Sequence, residues 1–219
     1  DMRHALEKSC NVYFYTLGNM LGVDRIYKWA EKLGLTGKTG IDLPNEQSSL
    51  VPNTEWKRRT TGEPWYPGET ISVAIGQGQV SVTPASLAVM MATVANNGRR
   101  VVPHVVRAVD EGDGWMPVTP ATAADPTSFK PATFRALVEG LWMVVNASGT
   151  GGRARIPGRD VSGKTGTAQV ISNEGRARAR GTGRDLRDHG WFVFFASRDN
   201  PELAGVIFGE HNEHGYLGA

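Results

Sequence analysis

The sequence predicts a mixed α/β fold in which an antiparallel sheet is covered by helices on both faces. Two-thirds of the chain is dominated by segments whose apolar residues recur at three-and-four spacing, the period of an amphipathic helix. The last third changes period to short, β-rich runs joined by turn residues. The central run, Trp191-Phe192-Val193-Phe194-Phe195, is apolar at every position, so both of its faces need cover.

Asp1 to Lys8 reads as helix already under way, and Val12 to Leu21 as a second, apolar helix. Asp24 is expected to cap a third, in which Ile26, Trp29, Ala30 and Leu33 share a face and Gly34 supplies the left-handed stop. Residues 34–70, dense in Gly and Pro, read mainly as loop with one helical turn near Thr54 to Arg59. Thr83-Pro84 opens the next helix, which runs through Leu87, Met90, Met91 and Val94 to Asn97-Gly98, its methionines serving as core filler. A strand is expected over 101–110, and a helix over 131–146 burying Phe134, Leu137, Leu141 and Val145. Val161 to Ile171, Gly190 to Ser197 and Leu203 to Gly209 then form three neighbouring antiparallel strands, with Ser197-Arg198-Asp199-Asn200-Pro201 as a hairpin connection. No internal repeat or domain boundary interrupts residues 1–219, and both ends read as cut.

Composition excludes several classes. The net charge of +2, from 24 basic and 22 acidic residues, favours neither nucleic acid nor an anionic membrane surface as partner. Cys10 is the single cysteine, which rules out an internal disulfide framework; it reads as a small buried side chain. There is no run of about 18 apolar residues and no signal peptide, so any membrane anchor lies outside this segment.

Gly158-Arg159-Asp160-Val161-Ser162-Gly163-Lys164-Thr165 satisfies the P-loop pattern letter for letter. A P-loop needs a buried strand before it and a helix after it, whose N-terminal N–H groups face the phosphates. Here Gly, Arg and Pro precede it and the β-favouring Thr165-Gly166-Thr167-Ala168-Gln169-Val170-Ile171 follows, so nucleotide binding is rejected. Lys164-Thr165-Gly166-Thr167 makes better sense on an exposed edge strand lining a cleft. Lys164 presents a fixed charge, the threonine hydroxyls bind a carboxylate, and Gly166 lets a peptide lie close to the backbone. A second triplet, Lys38-Thr39-Gly40, follows a helix stop and leads into Ile41-Asp42-Leu43-Pro44, the context of a turn. Ser9-Cys10-Asn11 sets a hydroxyl and a carboxamide two residues apart where one helix ends and the next begins, although either residue alone is an ordinary N-cap.

His211-Asn212-Glu213-His214 could pair two imidazoles, but no third ligand lies nearby in sequence and no metal is expected. Arg176, Arg178, Arg180, Arg184 and Arg187 lack interleaved aromatics and read as a solvated hairpin loop.

Ser-x-Asn followed far downstream by Lys-Thr-Gly-Thr matches the second and third elements of the penicillin-binding protein and β-lactamase triad, whose first is Ser-x-x-Lys. The chain resembles the class B penicillin-binding proteins along nearly all of its length. The resemblance is carried by Ser9 to Tyr15, Thr39 to Pro44, Pro64 to Thr70, Ile75 to Pro84 and Val161 to Ala168, and the Trp65-Tyr66 stretch looks like the elongation-type group, penicillin-binding protein 2. It implies the transpeptidase fold, incomplete here. No Ser-x-x-Lys occurs in the 219 residues, and the family's C-terminal helix is also expected outside them. The implied activity is D,D-transpeptidation of peptidoglycan stem peptides, with Ser9 relaying a proton, Asn11 bonding the substrate amide and Lys164 supplying the field. Thr165 and Thr167 would hold the terminal carboxylate, and the Thr167 N–H would form half of an oxyanion hole. The strand from Ser162 to Ala168 would take the peptide as an added strand. The implied partners are D-Ala-D-Ala peptides, β-lactams and the cell-wall elongation machinery at the periplasmic face of a bacterial membrane, with no cofactor. Two alternatives stay open: a β-lactamase or carboxypeptidase, and a non-catalytic β-lactam sensor.

Overall fold

Helices form where caps and apolar spacing coincide. The computed structural model describes residues 1–119, 121, 129–170 and 185–219. Helix α1 (Met2–Glu7) begins beneath the Asp1 carboxylate, which accepts the His4 N–H at 3.2 Å, and α2 (Asn11–Leu21) follows after a tight turn. Helix α3 (Val23–Lys32) starts one residue before Asp24, with Gly22 at the cap position, so Asp24 is not its cap. A carboxylate is equally favoured inside a first turn. From there Asp24 accepts the N–H and hydroxyl of Thr54, both at 3.0 Å, and so ties α3 to the start of α4 (Thr54–Thr61). Gly34 ends α3 with φ at +78°, the predicted stop.

The region read as mostly loop holds a second helix, α5 (Pro67–Ala74). Its signals were a proline at the first helical position and Glu69, whose carboxylate reaches back to the Tyr66 N–H at 2.8 Å. Helix α6 (Pro84–Ala95) is as predicted, with Thr83 accepting the Ser86 N–H at 3.2 Å and Met91 buried in the core.

The strand expected over 101–110 shrinks to β1 (Ala108–Asp110), which pairs in a hairpin with β2 (Trp115–Pro117). The reason lies in Asp42, whose carboxylate accepts the N–H groups of Val105 and Val106 at 2.7 and 2.9 Å; donors that a ladder would need are already spent on a side chain.

Helix α7 (Pro131–Asn146) leads to the main sheet of β3 (Ser162–Ala168), β4 (His189–Ala196) and β5 (Leu203–Gly209). The strands are antiparallel in the order β3-β4-β5, which among the described residues leaves β3 on an edge. Lys164 lies opposite Val193 and Thr165 opposite Phe192, so alternate residues serve opposite faces. On one face Val193 and Phe195 pack with Met91, Val94 and Ala95 of α6 and Val138 and Leu141 of α7. On the other, Phe192 packs with Val144 and Val145 of α7 and Val161, joined by Phe194 and Ala219. Burial on both faces explains why β4 is apolar throughout. A third cluster, Val23, Ala30, Val51 and Val73, fixes α3 against α5. Among the described residues no helix is long and apolar enough to cross a membrane.

Candidate functional site

The site begins at the end of α1. The Ser9 N–H donates to the Leu6 carbonyl at 3.2 Å and the Cys10 N–H to the Ala5 carbonyl at 2.9 Å, the paired bonds of a Schellman stop. That motif needs a left-handed residue, and Ser9 takes it with φ at +54°, where glycine is the usual occupant. This conformation costs about 1 kcal/mol for a residue with a Cβ, and it sets the direction in which the Ser9 Cβ leaves the backbone. Cys10 takes the cap position of α2 and is exposed, contrary to the expectation of a buried thiol, because the turn directs it outward.

Lys164 approaches from the middle of β3. Its ammonium donates to Ser9 Oγ at 2.5 Å and to the Thr165 carbonyl at 2.8 Å. Burial pushes its pKa down to about 8. Among the described residues no aspartate or glutamate lines the surrounding cleft, so the charge has no carboxylate within it. The cleft, about 530 Å³, is bordered by Ser9, Asn11, Lys164, Thr165, Gly166 and Thr167. All six residues singled out in the sequence therefore meet in one place.

Asn11 opens α2 and is exposed to the cleft. The hydroxyls of Thr165 and Thr167 have partners of their own: Thr165 Oγ1 lies 2.6 Å from Thr150 Oγ1, and Thr167 Oγ1 accepts the Gly215 N–H at 3.2 Å. Gly166 carries no side chain where the cleft meets the strand. Sequence reasoning did not assign to the site four other polar residues of the lining, Gln77, Thr150, His214 and Tyr216; it had placed Gln77 only in a family-like stretch and His214 only in a possible imidazole pair. Thr150 and Gln77 sit in glycine-rich turns whose polar residues were the available signal; His214 and Tyr216 had none, because their position depends on the return of the chain after β5.

The second triplet lies in an irregular loop rather than in the expected turn, which begins only beyond it, at Asp42 to Asn45. The Thr39 N–H and hydroxyl donate to Glu46 Oε1 at 2.6 and 2.5 Å, the Gly40 N–H donates to Glu46 Oε2 at 3.1 Å, and Lys38 is exposed. The P-loop match fails in three dimensions as well, since the chain after Lys164 continues as strand to Ala168, where a P-loop needs the N-terminus of a helix. In the His211 to His214 run the two rings part: the His211 ring lies 4.7 Å from that of His189, whose Nδ1 accepts the His211 backbone N–H at 3.0 Å, while His214 lines the cleft. Of the arginine series, Arg176, Arg178, Arg180 and Arg184 lie outside the described residues, and Arg187 pairs with Asp185 at 2.7 Å.

A pairing of lysine and serine from a strand and a helical turn is a local arrangement, and comparison with known proteins tests whether the rest of the chain agrees. Residues 1–219 match the penicillin binding protein transpeptidase domain. The peptidoglycan D,D-transpeptidase MrdA of Acinetobacter baumannii is 42% identical over 98% of this chain and 32% of its own. The chain thus spans about a third of the length of that relative. The crystal structure of Pseudomonas aeruginosa PBP2 in complex with WCK 5153 superposes with a TM-score of 0.84 at 34% identity, over 99% of this chain and 44% of the other. The PBP2 of a complex with MreC from Helicobacter pylori gives 0.77 at 29% identity, over 97% and 37%. Sequence and fold agree along the whole chain, and the protein belongs to the penicillin-binding protein transpeptidase family.

Proposed function

We propose that these residues form the proton-handling and substrate-binding part of a peptidoglycan D,D-transpeptidase, and that residues 1–219 are part of one transpeptidase domain. The observation that carries the reading is the Lys164 ammonium on the Ser9 hydroxyl, beside the cleft-facing edge of β3 and in a cleft lined by no carboxylate among the described residues. Such a cleft favours an anionic peptide end. Thr165 and Thr167 hold the terminal carboxylate of a D-Ala-D-Ala stem, Asn11 bonds its amide carbonyl, and Gly166 admits its backbone.

The 219 residues contain no Ser-x-x-Lys, so in this reading the attacking serine comes from outside them. Its oxygen adds to the penultimate D-Ala carbonyl as the serine gives up its proton. The peptide C–N bond breaks, and D-alanine leaves after its nitrogen takes a proton relayed through Ser9. An amine of a neighbouring stem then attacks the ester, loses a proton, and restores the serine. Lys164 stabilises negative charge near the reacting centre throughout, and the Thr167 N–H supports the developing oxyanion. β-Lactams are ligands of the same site. The MreC complex of the Helicobacter pylori relative supports the cell-wall elongation machinery as partner, and membership of the transpeptidase family supports the periplasmic face of a bacterial cytoplasmic membrane as location.

Fluorescent penicillin tests the proposal. The full-length protein takes one denaturation-resistant label per chain, Ser9→Ala slows the labelling, and residues 1–219 alone take none. An unlabelled full-length protein overturns the reading.

A further inference from the structure

The open edge of β3 is already occupied. Gln77 Nε2 donates to the Thr167 carbonyl at 2.7 Å, and Gln77 Oε1 accepts the Gln169 N–H at 3.3 Å, across 90 and 92 positions of sequence. Since β4 takes the other side of β3, the glutamine approaches from the edge that faces the cleft. A carboxamide offers the same donor and acceptor as a peptide group, so this side chain makes the bonds an added strand would make.

We propose that Gln77 is a displaceable latch on the β3 edge, which an incoming ligand exchanges for its own amide. This rests on the strand-addition reading of the site. The local chain suits such an exchange. Gln77 sits between Gly76 and Gly78, both left-handed at +73° and +72°, and nothing lies within 4 Å of where a Cβ on Gly76 would stand. At the base of the turn the N–H groups of Gly76 and Gln77 donate to Val73 and Ser72 at 3.0 and 2.9 Å, so the backbone holds while the Gln77 side chain can swing about its own torsions. The two latch bonds are neutral, half-exposed and in one case long, which makes them weak enough to trade one for one with a peptide amide.

The exchange discriminates between ligands. One that carries an acylamino group replaces both bonds; one without it binds with the latch in place. The latch also lowers apparent affinity by the fraction of time it is open, while the chemical step after binding is untouched.

The test uses the full-length protein and its Gln77→Ala and Gln77→Met variants, the second keeping volume without either hydrogen bond. Acylation is followed with benzylpenicillin, which has an acylamino group, and with imipenem, which has a hydroxyethyl group instead. Removing the latch raises the second-order rate with benzylpenicillin about threefold to tenfold, through tighter initial binding and an unchanged limiting rate, and leaves imipenem unaffected. Equal gains with both compounds mean a merely wider cleft, and an unchanged or slower benzylpenicillin rate in both variants means a supporting role; either overturns the latch alone. Failure of the wild-type protein to be acylated at all overturns the proposed function, and the latch with it.

Discussion

Lys164 donates its ammonium to Ser9 Oγ at 2.5 Å across 155 positions of sequence, joining an edge strand to the turn between two helices. The turn supplies direction through a left-handed serine, and the strand supplies charge. Neither residue has this environment without the packing of α1 against α7 and of α7 against the sheet.

The two Lys-Thr-Gly triplets should respond differently to the same substitution. In the full-length protein Lys164→Ala removes a charge held at the cleft and slows acylation by penicillin about a hundredfold, near the 3 kcal/mol typical of such electrostatic groups. Lys38→Ala removes an exposed ammonium beside a loop held by Glu46, and stability changes by less than about 0.5 kcal/mol. Second-order acylation rates, with circular dichroism to verify folding, compare them. Equal losses would place the active-site strand at the wrong triplet.

Stability should depend on pH through Lys164. Its folded value of about 8 lies below the ordinary 10.5, so between those values the unfolded chain binds more protons than the folded one. Stability therefore rises with pH across that window: the charged, buried lysine is a burden below pH 8 and is relieved above it, by at most about 3 kcal/mol. Urea denaturation of residues 1–219 and of Lys164→Met at pH 7 and pH 10 isolates the effect. The difference between the two proteins should narrow or change sign with pH in the wild type's favour, and a constant difference contradicts the assignment.

Glu69 should matter more than an exposed carboxylate does. It accepts the ammonium of Lys57 at 2.6 Å, and the Lys57 side chain is only 4% exposed, with its ammonium 4.4 Å from the Tyr66 ring centroid. Glu69→Ala leaves a buried cation with only the Glu63 carboxylate, 3.9 Å away and largely exposed, and the Tyr66 N–H without its acceptor, for a loss of about 2 to 3 kcal/mol. Glu69→Gln keeps an acceptor for both and costs less. Denaturant midpoints at pH 7 check the order, and a neutral Glu69→Ala would mean that Lys57 escapes to solvent.

Periodicity and punctuation in the sequence by themselves determined α2, α6, α7 and the three main strands, because each pattern is local: a Thr-Pro start, a Gly stop, or a run apolar on both faces. They also separated Lys164 from Lys38, since the following residues favour a strand in one case and a turn in the other. Local signals misled where a distant side chain takes over the backbone. Asp42 captures Val105 and Val106 and cuts short the expected strand, and Asp24 turns from its own helix to Thr54. Only the tertiary structure decided that Ser9 and Lys164 touch, that Thr150 supports Thr165, and that Gln77 lies on the β3 edge. Those contacts form when helices and sheet pack around shared apolar clusters, and a hydrogen bond spanning 90 or 155 positions leaves no trace in the spacing of neighbours.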